Sequence, residues 1–79
     1  MTTLSELTPN QIRALIKIEH LGGGIFDVGC QAYRLAPRTV LGMVGLIEAG
    51  LVEEFEGPTG GMRFRLTIKG MAVRELGAA

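Results

Sequence analysis

The stretch from Leu35 to Val52, LAPRTVLGMVGLIEAGLV, carries a helix-start signal at one end and a helix-stop signal at the other. Pro37 suits a first helical position, where its missing N–H is one the helix could not satisfy anyway. Gly50 stands where a left-handed C-terminal cap is wanted, and Leu51-Val52 resume as extended apolar chain. Between them Val40, Leu41, Val44 and Ile47 recur at helical spacing, which predicts one buried stripe. The opposite face then carries Arg38, Gly42, Gly45 and Ala49. With 79 residues, the chain has length for one domain, built around this helix.

Upstream, Met1 to Leu7 reads as a flexible N-terminal arm in which Leu4 and Leu7 could dock. Thr8-Pro9-Asn10-Gln11 is a helix opening: Thr8 caps, Pro9 takes the first position and Gln11 reaches back to complete a capping box. The helix should run to about Leu21 and stop at Gly22-Gly23-Gly24. Its apolar face holds Ile12, Leu15, Ile16 and Ile18, with Arg13, Lys17 and His20 opposite and Glu19 at the edge or paired. Ile25-Phe26 reads as a short strand, and Asp27 as the cap of a second helix from Val28 to about Leu35. Downstream, Leu51 to Glu56 reads as a strand and Gly57-Pro58-Thr59-Gly60-Gly61 as a turn. Arg63 to Ile68 alternates, with Phe64, Leu66 and Ile68 on one face. A last helix takes Lys69 to Leu76, with Met71, Val73 and Leu76 available for packing.

A capped helix followed at once by a strand and a Gly-rich hairpin resembles the recognition helix and wing of a winged helix-turn-helix domain, as in MarR-type and related small bacterial regulators. The matching residues are Pro37-Arg38-Thr39-Val40, then Gly50-Leu51-Val52, then Arg65-Leu66-Thr67 with Gly70 closing the wing. The resemblance spans residues 8 to 76, with the Thr39-to-Gly50 spacing one residue shorter than the common pattern. It implies an α+β winged helix-turn-helix fold, with a three-helix core, a β-hairpin wing and a short C-terminal helix. The recognition helix would be about Pro37–Ala49 and the wing about Leu51–Ile68. It further implies a transcriptional regulator that binds double-stranded DNA. Arg38 and Thr39 would meet base edges, Gln31 and Arg34 the backbone, and Arg63 and Arg65 would act from the wing.

Each of these sites has a competing reading. Apart from Arg38 and Thr39, the outward face of the recognition helix is bare. Two interior glycines each cost about 1 kcal/mol relative to Ala. Gly42, Gly45 and Ala49 therefore form either an interaction face, where another backbone approaches closely, or a tolerated surface. In the wing, pairing Phe55 with Phe64 would set Glu56 against Arg63 and Glu54 against Arg65. Such cross-strand pairs neutralise the positive field, so the hairpin is either a phosphate clamp or a neutral ribbon. Arg13, Lys17 and His20 form a basic strip that a solvated face explains more simply than a binding site does.

Eight basic residues balance eight acidic ones, so a phosphate-binding face requires segregated charge. That neutrality and the bare helix face support an alternative: a winged-helix protein-protein interaction module, an adaptor or an inhibitor of a nucleic-acid machine. A homodimer would have to use the arm, the last helix or the glycine face. No triad partner is evident for His20 or Cys30, no cluster has metal-ligand spacing, and Gly22-Gly23-Gly24 lacks the lysine of a P-loop. An enzyme, a metal site and a cofactor are not expected. A single cysteine and the lack of a membrane-length apolar run point to a cytoplasmic protein.

Overall fold

Thr8 opens the first helix as its sequence demands. In the computed structural model, which describes residues 2–25 and 27–78, the Gln11 N–H donates to Thr8 Oγ1 (3.1 Å) and the Thr8 N–H to Gln11 Oε1 (2.9 Å). This reciprocal box starts α1, Pro9–Ile18. Ala14, Leu15 and Ile18 are buried; Ile16, expected among them, is 36% exposed. The helix loosens early, over Glu19–Gly23, where Leu21 and Gly22 leave helical geometry. Glu19 is paired, with Arg74 at 3.7 Å.

The expected second helix is absent. Gly29 adopts φ +97°, a conformation no helix interior contains, and its N–H donates to the Gly22 carbonyl (2.9 Å). Its missing side chain leaves room for the Phe55 ring, whose Cζ would lie 2.6 Å from a Cβ there. The chain then runs as β1, Cys30–Gln31, followed by a single 3-10 turn, Ala32–Arg34. Asp27 therefore caps nothing; its N–H closes a turn onto the Gly24 carbonyl. The strand expected at Ile25-Phe26 is displaced: Ile25 lies in a turn and Phe26 is outside the described residues.

Helix α2 is Pro37–Glu48. It ends in a Schellman motif: Leu51 N–H reaches Leu46 O (2.9 Å), Gly50 N–H reaches Ile47 O (3.0 Å), and Gly50 takes φ +76°. Its phase differs from the expected stripe. Met43 and Leu46 are buried and Val40 and Ile47 pack on the core, whereas Leu41 is 75% and Val44 57% exposed. The helix is apolar almost all round, so nothing in its own pattern marks the face that turns inward.

Strands β2, Val52–Glu56, and β3, Met62–Leu66, form a hairpin closed by Gly57 N–H to Gly61 O (2.7 Å). The three-stranded antiparallel sheet has the order β1-β3-β2. Register is shifted by one residue from the expected pairing: Val52 faces Leu66, Glu53 faces Arg65, Glu54 faces Phe64 and Phe55 faces Arg63. Burial decides this. Facing residues share a side of the sheet, and this register puts Val52, Phe64, Leu66 and the β1 residue Cys30 together on the core side. Ile68 does not continue β3; it opens α3, Ile68–Leu76, and is 72% exposed. Thr67 caps that helix through Gly70 N–H (3.0 Å) and donates its hydroxyl to Gly50 O (2.6 Å), tying α3 to the end of α2. Val73 is buried, Met71 half-buried and Leu76 81% exposed.

The described residues thus form an α+β fold, with three α-helices packed on one face of the sheet. Residues expected as an arm lie along the C-terminus, with Leu4 N–H on Gly77 O (2.7 Å) and Leu4 and Leu7 against the core. No described helix is long and apolar enough to cross a membrane.

Candidate nucleic-acid interface

Helices α1 and α2 meet along a face that carries Gly42 and Gly45, and at Gly45 the approach is too close for a side chain. A Cβ at Gly42 would sit 3.4 Å from Asn10 Nδ2, and one at Gly45 only 2.6 Å from Gln11 Nε2. Asn10 Nδ2 also donates to the Arg38 carbonyl (3.3 Å), fastening the start of α1 to the start of α2. The expected interaction face of Gly42 and Gly45 thus turns to α1 of the same chain, and Ala49 packs against the core.

Beside this seam lies an open groove of about 470 Å³, lined by Asn10, Arg13, Lys17, Arg34, Ala36, Arg38 and Thr39. Each wall has a local cause. Arg13 and Lys17 are one helical turn apart on α1, Arg34 ends the 3-10 turn, and Arg38 and Thr39 open α2. The four cations are all exposed. Among the described residues, none of their side chains makes a hydrogen bond or a salt bridge. None of the chain's eight carboxylates lines the groove, although four of its eight cations do. The first turn of α2 adds to the positive potential, having neither a side-chain cap nor an acidic residue. Behind the groove, burial pushes the Cys30 thiol pKa up, and the nearby Arg34 and Lys17 charges partly offset that rise. Cys30 is buried and stays a neutral part of the core.

The sheet's outer face differs. Arg65 donates through Nε to Glu53 Oε1 (2.6 Å) and through Nη1 to Asp27 O (3.1 Å), and lies 4.4 Å above the centre of the Phe55 ring. Arg63 Nη1 donates to Gly29 O (3.3 Å). These bonds hold the hairpin onto the 27–29 loop. The ion pair expected between Glu54 and Arg65 is made by Glu53 instead, as the observed register requires. Arg63 also lines a second groove, of about 380 Å³, with Gln31, Ala32, Tyr33, Thr59, Gly61 and Met62.

Of the residues expected to bind DNA, Arg34, Arg38 and Thr39 come together. Gln31 lies in the second groove beside Arg63, and Arg65 belongs to the sheet face. Arg13 and Lys17, read as an open basic strip, are walls of the first groove; His20 is not. Asn10 carried no functional signal in the sequence beyond helix opening. Among the described residues no group of three or more His, Cys, Asp or Glu side chains could hold a metal ion. Compared with known proteins, the chain matches no family model, no curated protein and no solved structure.

Proposed function

We propose that this chain is a DNA-binding regulator of winged-helix type that grips the phosphate backbone in the groove between α1 and α2. In this reading α2 is the recognition helix, β2–β3 the wing, and the 3-10 turn Ala32–Arg34 a reduced second helix. The observation that carries it is charge segregation in a neutral chain: Arg13, Lys17, Arg34 and Arg38 share one groove that no carboxylate lines. Cations without protein partners are ready to replace the counterions of a polyanion. Arg38 and Thr39, at the leading end of α2, are the side chains nearest to base edges, while Arg13, Lys17 and Arg34 hold phosphates. Arg65 stabilises the hairpin and is not a DNA contact.

The test is a titration of labelled duplex DNA across a range of salt. Four phosphate contacts predict a slope of log affinity against log salt of roughly −3 to −4. No binding at low salt with protein at about 100 µM, the weak end of non-specific affinity, sinks the proposal.

One observation favours a second reading, a protein-interaction module. Leu41 and Val44 expose an apolar strip on α2 where a groove reader normally presents polar groups. Replacing both with Ser leaves DNA affinity nearly unchanged under the first reading if the groove alone grips. Under the second, wild type binds no DNA, and the same change abolishes association with the partner.

A further inference from the structure

The two grooves meet at one short segment. Arg34 lines the cationic groove and Tyr33, its chain neighbour, lines the other. Their Cα atoms are about 3.8 Å apart, as any trans peptide requires. Tyr33 is 81% exposed, unusual for the chain's only tyrosine, yet its hydroxyl is anchored by donating to Gln31 Oε1 (2.8 Å). The ring is therefore held at the mouth of the 380 Å³ groove with its body in solvent. Around it stand the chemical groups that an unstacked base needs. Gln31 keeps its amide NH₂ as a donor for a base carbonyl, Arg63 supplies guanidinium N–H groups beyond the one given to Gly29 O, and Met62, 44% exposed, offers an apolar wall. Gly61 and Thr59 complete the lining on the hairpin side.

We infer that this groove takes a nucleobase, stacked on Tyr33, from a strand whose phosphates lie against Arg34 and its neighbours. The inference rests on the phosphate groove of the reading above, not on its duplex base contacts, and extends its ligand to opened strands. The preferred nucleic acid has single-stranded or opened bases, because a base inside a duplex keeps its faces covered by its neighbours. Stacking on an aromatic ring combined with a cationic track is the physical basis of single-strand binding and tolerates any sequence. A duplex could engage only the cationic groove and would leave Tyr33 bare.

The protein contains its own reporter. With one tyrosine and no tryptophan, its intrinsic fluorescence comes from Tyr33 alone. The experiment titrates wild type at low salt with an oligothymidylate of about 12 nucleotides and with a blunt duplex of the same length, correcting for light absorbed by the DNA with free tyrosine. The expected result is quenching by the single strand, little change with the duplex, and tighter binding of the single strand. Tyr33→Leu should weaken single-strand binding about 10-fold, the loss of one stacked base, and leave duplex affinity as it was. Tyr33→Phe keeps the stacking ring and loses only the anchor to Gln31, so it should recover most of the affinity that Tyr33→Leu loses. Tyr33 is exposed, so both variants fold. Duplex binding without quenching or single-strand preference overturns the base site and leaves the phosphate groove standing. Failure of both nucleic acids to bind overturns the groove and the base site together.

Discussion

The α1–α2 groove and the outer face of the sheet both display arginines, but the two regions use them differently. On the sheet, Arg65 bonds to Glu53 and the Asp27 carbonyl and covers Phe55, and Arg63 bonds to the Gly29 carbonyl. In the other region Arg13, Lys17, Arg34 and Arg38 line one groove with no protein acceptor among the described residues. Like charges brought together repel one another. Under the proposed function, the phosphates of the bound nucleic acid relieve that repulsion. Arg65, already bonded to a carbonyl and a carboxylate, has little left to offer a phosphate and does better as a staple. Net charge would have missed both facts; what matters is which cations already have partners.

The largest expected effect tests the phase of α2, on which the groove depends, because that phase aims Arg38 toward α1. Leu46→Asp places an unpaired charge in the core, a penalty of several kcal/mol. That is comparable with the whole stability of a small domain, about 5 kcal/mol, so the variant should be unfolded by circular dichroism. Val44→Asp, on the solvent side, should change stability by no more than about 1 kcal/mol and keep a cooperative melt. The reverse pattern would mean that α2 is rotated and that the four cations do not share a groove.

Next in size is the separation of binding from stability. Arg34→Glu should cut DNA affinity more than 10-fold, lower the salt slope by about 1, and leave the melting temperature within a degree or two, since no internal bond is lost. Arg65→Met should do the opposite. Its bonds are partly exposed, so losing them costs about 1–2 kcal/mol of stability, with affinity unchanged. If Arg65→Met weakens DNA binding as much as Arg34→Glu does, the sheet face belongs to the interface and the contrast collapses.

What could be read in advance follows from how local each signal is. The Thr8–Gln11 box, the Gly50 stop and the turn at 57–61 involve neighbours in sequence, and each stands where the residues place it. The phase of α2 was not legible because Val40, Leu41, Met43, Val44, Leu46 and Ile47 surround the helix with apolar groups; only docking on α1 and the sheet selects Met43 and Leu46. The missing second helix did leave a trace, since Gly29 would have stood in its first turn. Its positive φ, however, is enforced by distant partners, the Phe55 ring and the Gly22 carbonyl. The hairpin register likewise turned on which residues the helices would bury. Of the groove, Arg34, Arg38 and Thr39 were legible as candidates. Arg13 and Lys17 were visible only as a helix face, because their meeting with α2 is a tertiary event.

The smallest expected effect concerns the seam that sets the groove's walls. At Gly42 an added Cβ would meet Asn10 Nδ2 at 3.4 Å, an ordinary contact, so Gly42→Ala should stabilise by about 0.5–1 kcal/mol through helix propensity alone. At Gly45 the same gain is opposed. The Cβ would come within 2.6 Å of Gln11 Nε2, and Gln11 cannot swing away without releasing the Thr8 N–H that its Oε1 accepts at 2.9 Å. Losing that half of the capping box costs about 1 kcal/mol, so Gly45→Ala should be close to neutral. In a Gln11→Ala background the obstruction is gone, and Gly45→Ala should then recover the full gain of about 1 kcal/mol. Chemical denaturation of the two single variants and the double variant measures this coupling. Additive effects would show that Gln11 does not lie between the helices. The approach of α1 to α2, which brings Arg13 and Lys17 alongside Arg38, would then lack the contact that defines it.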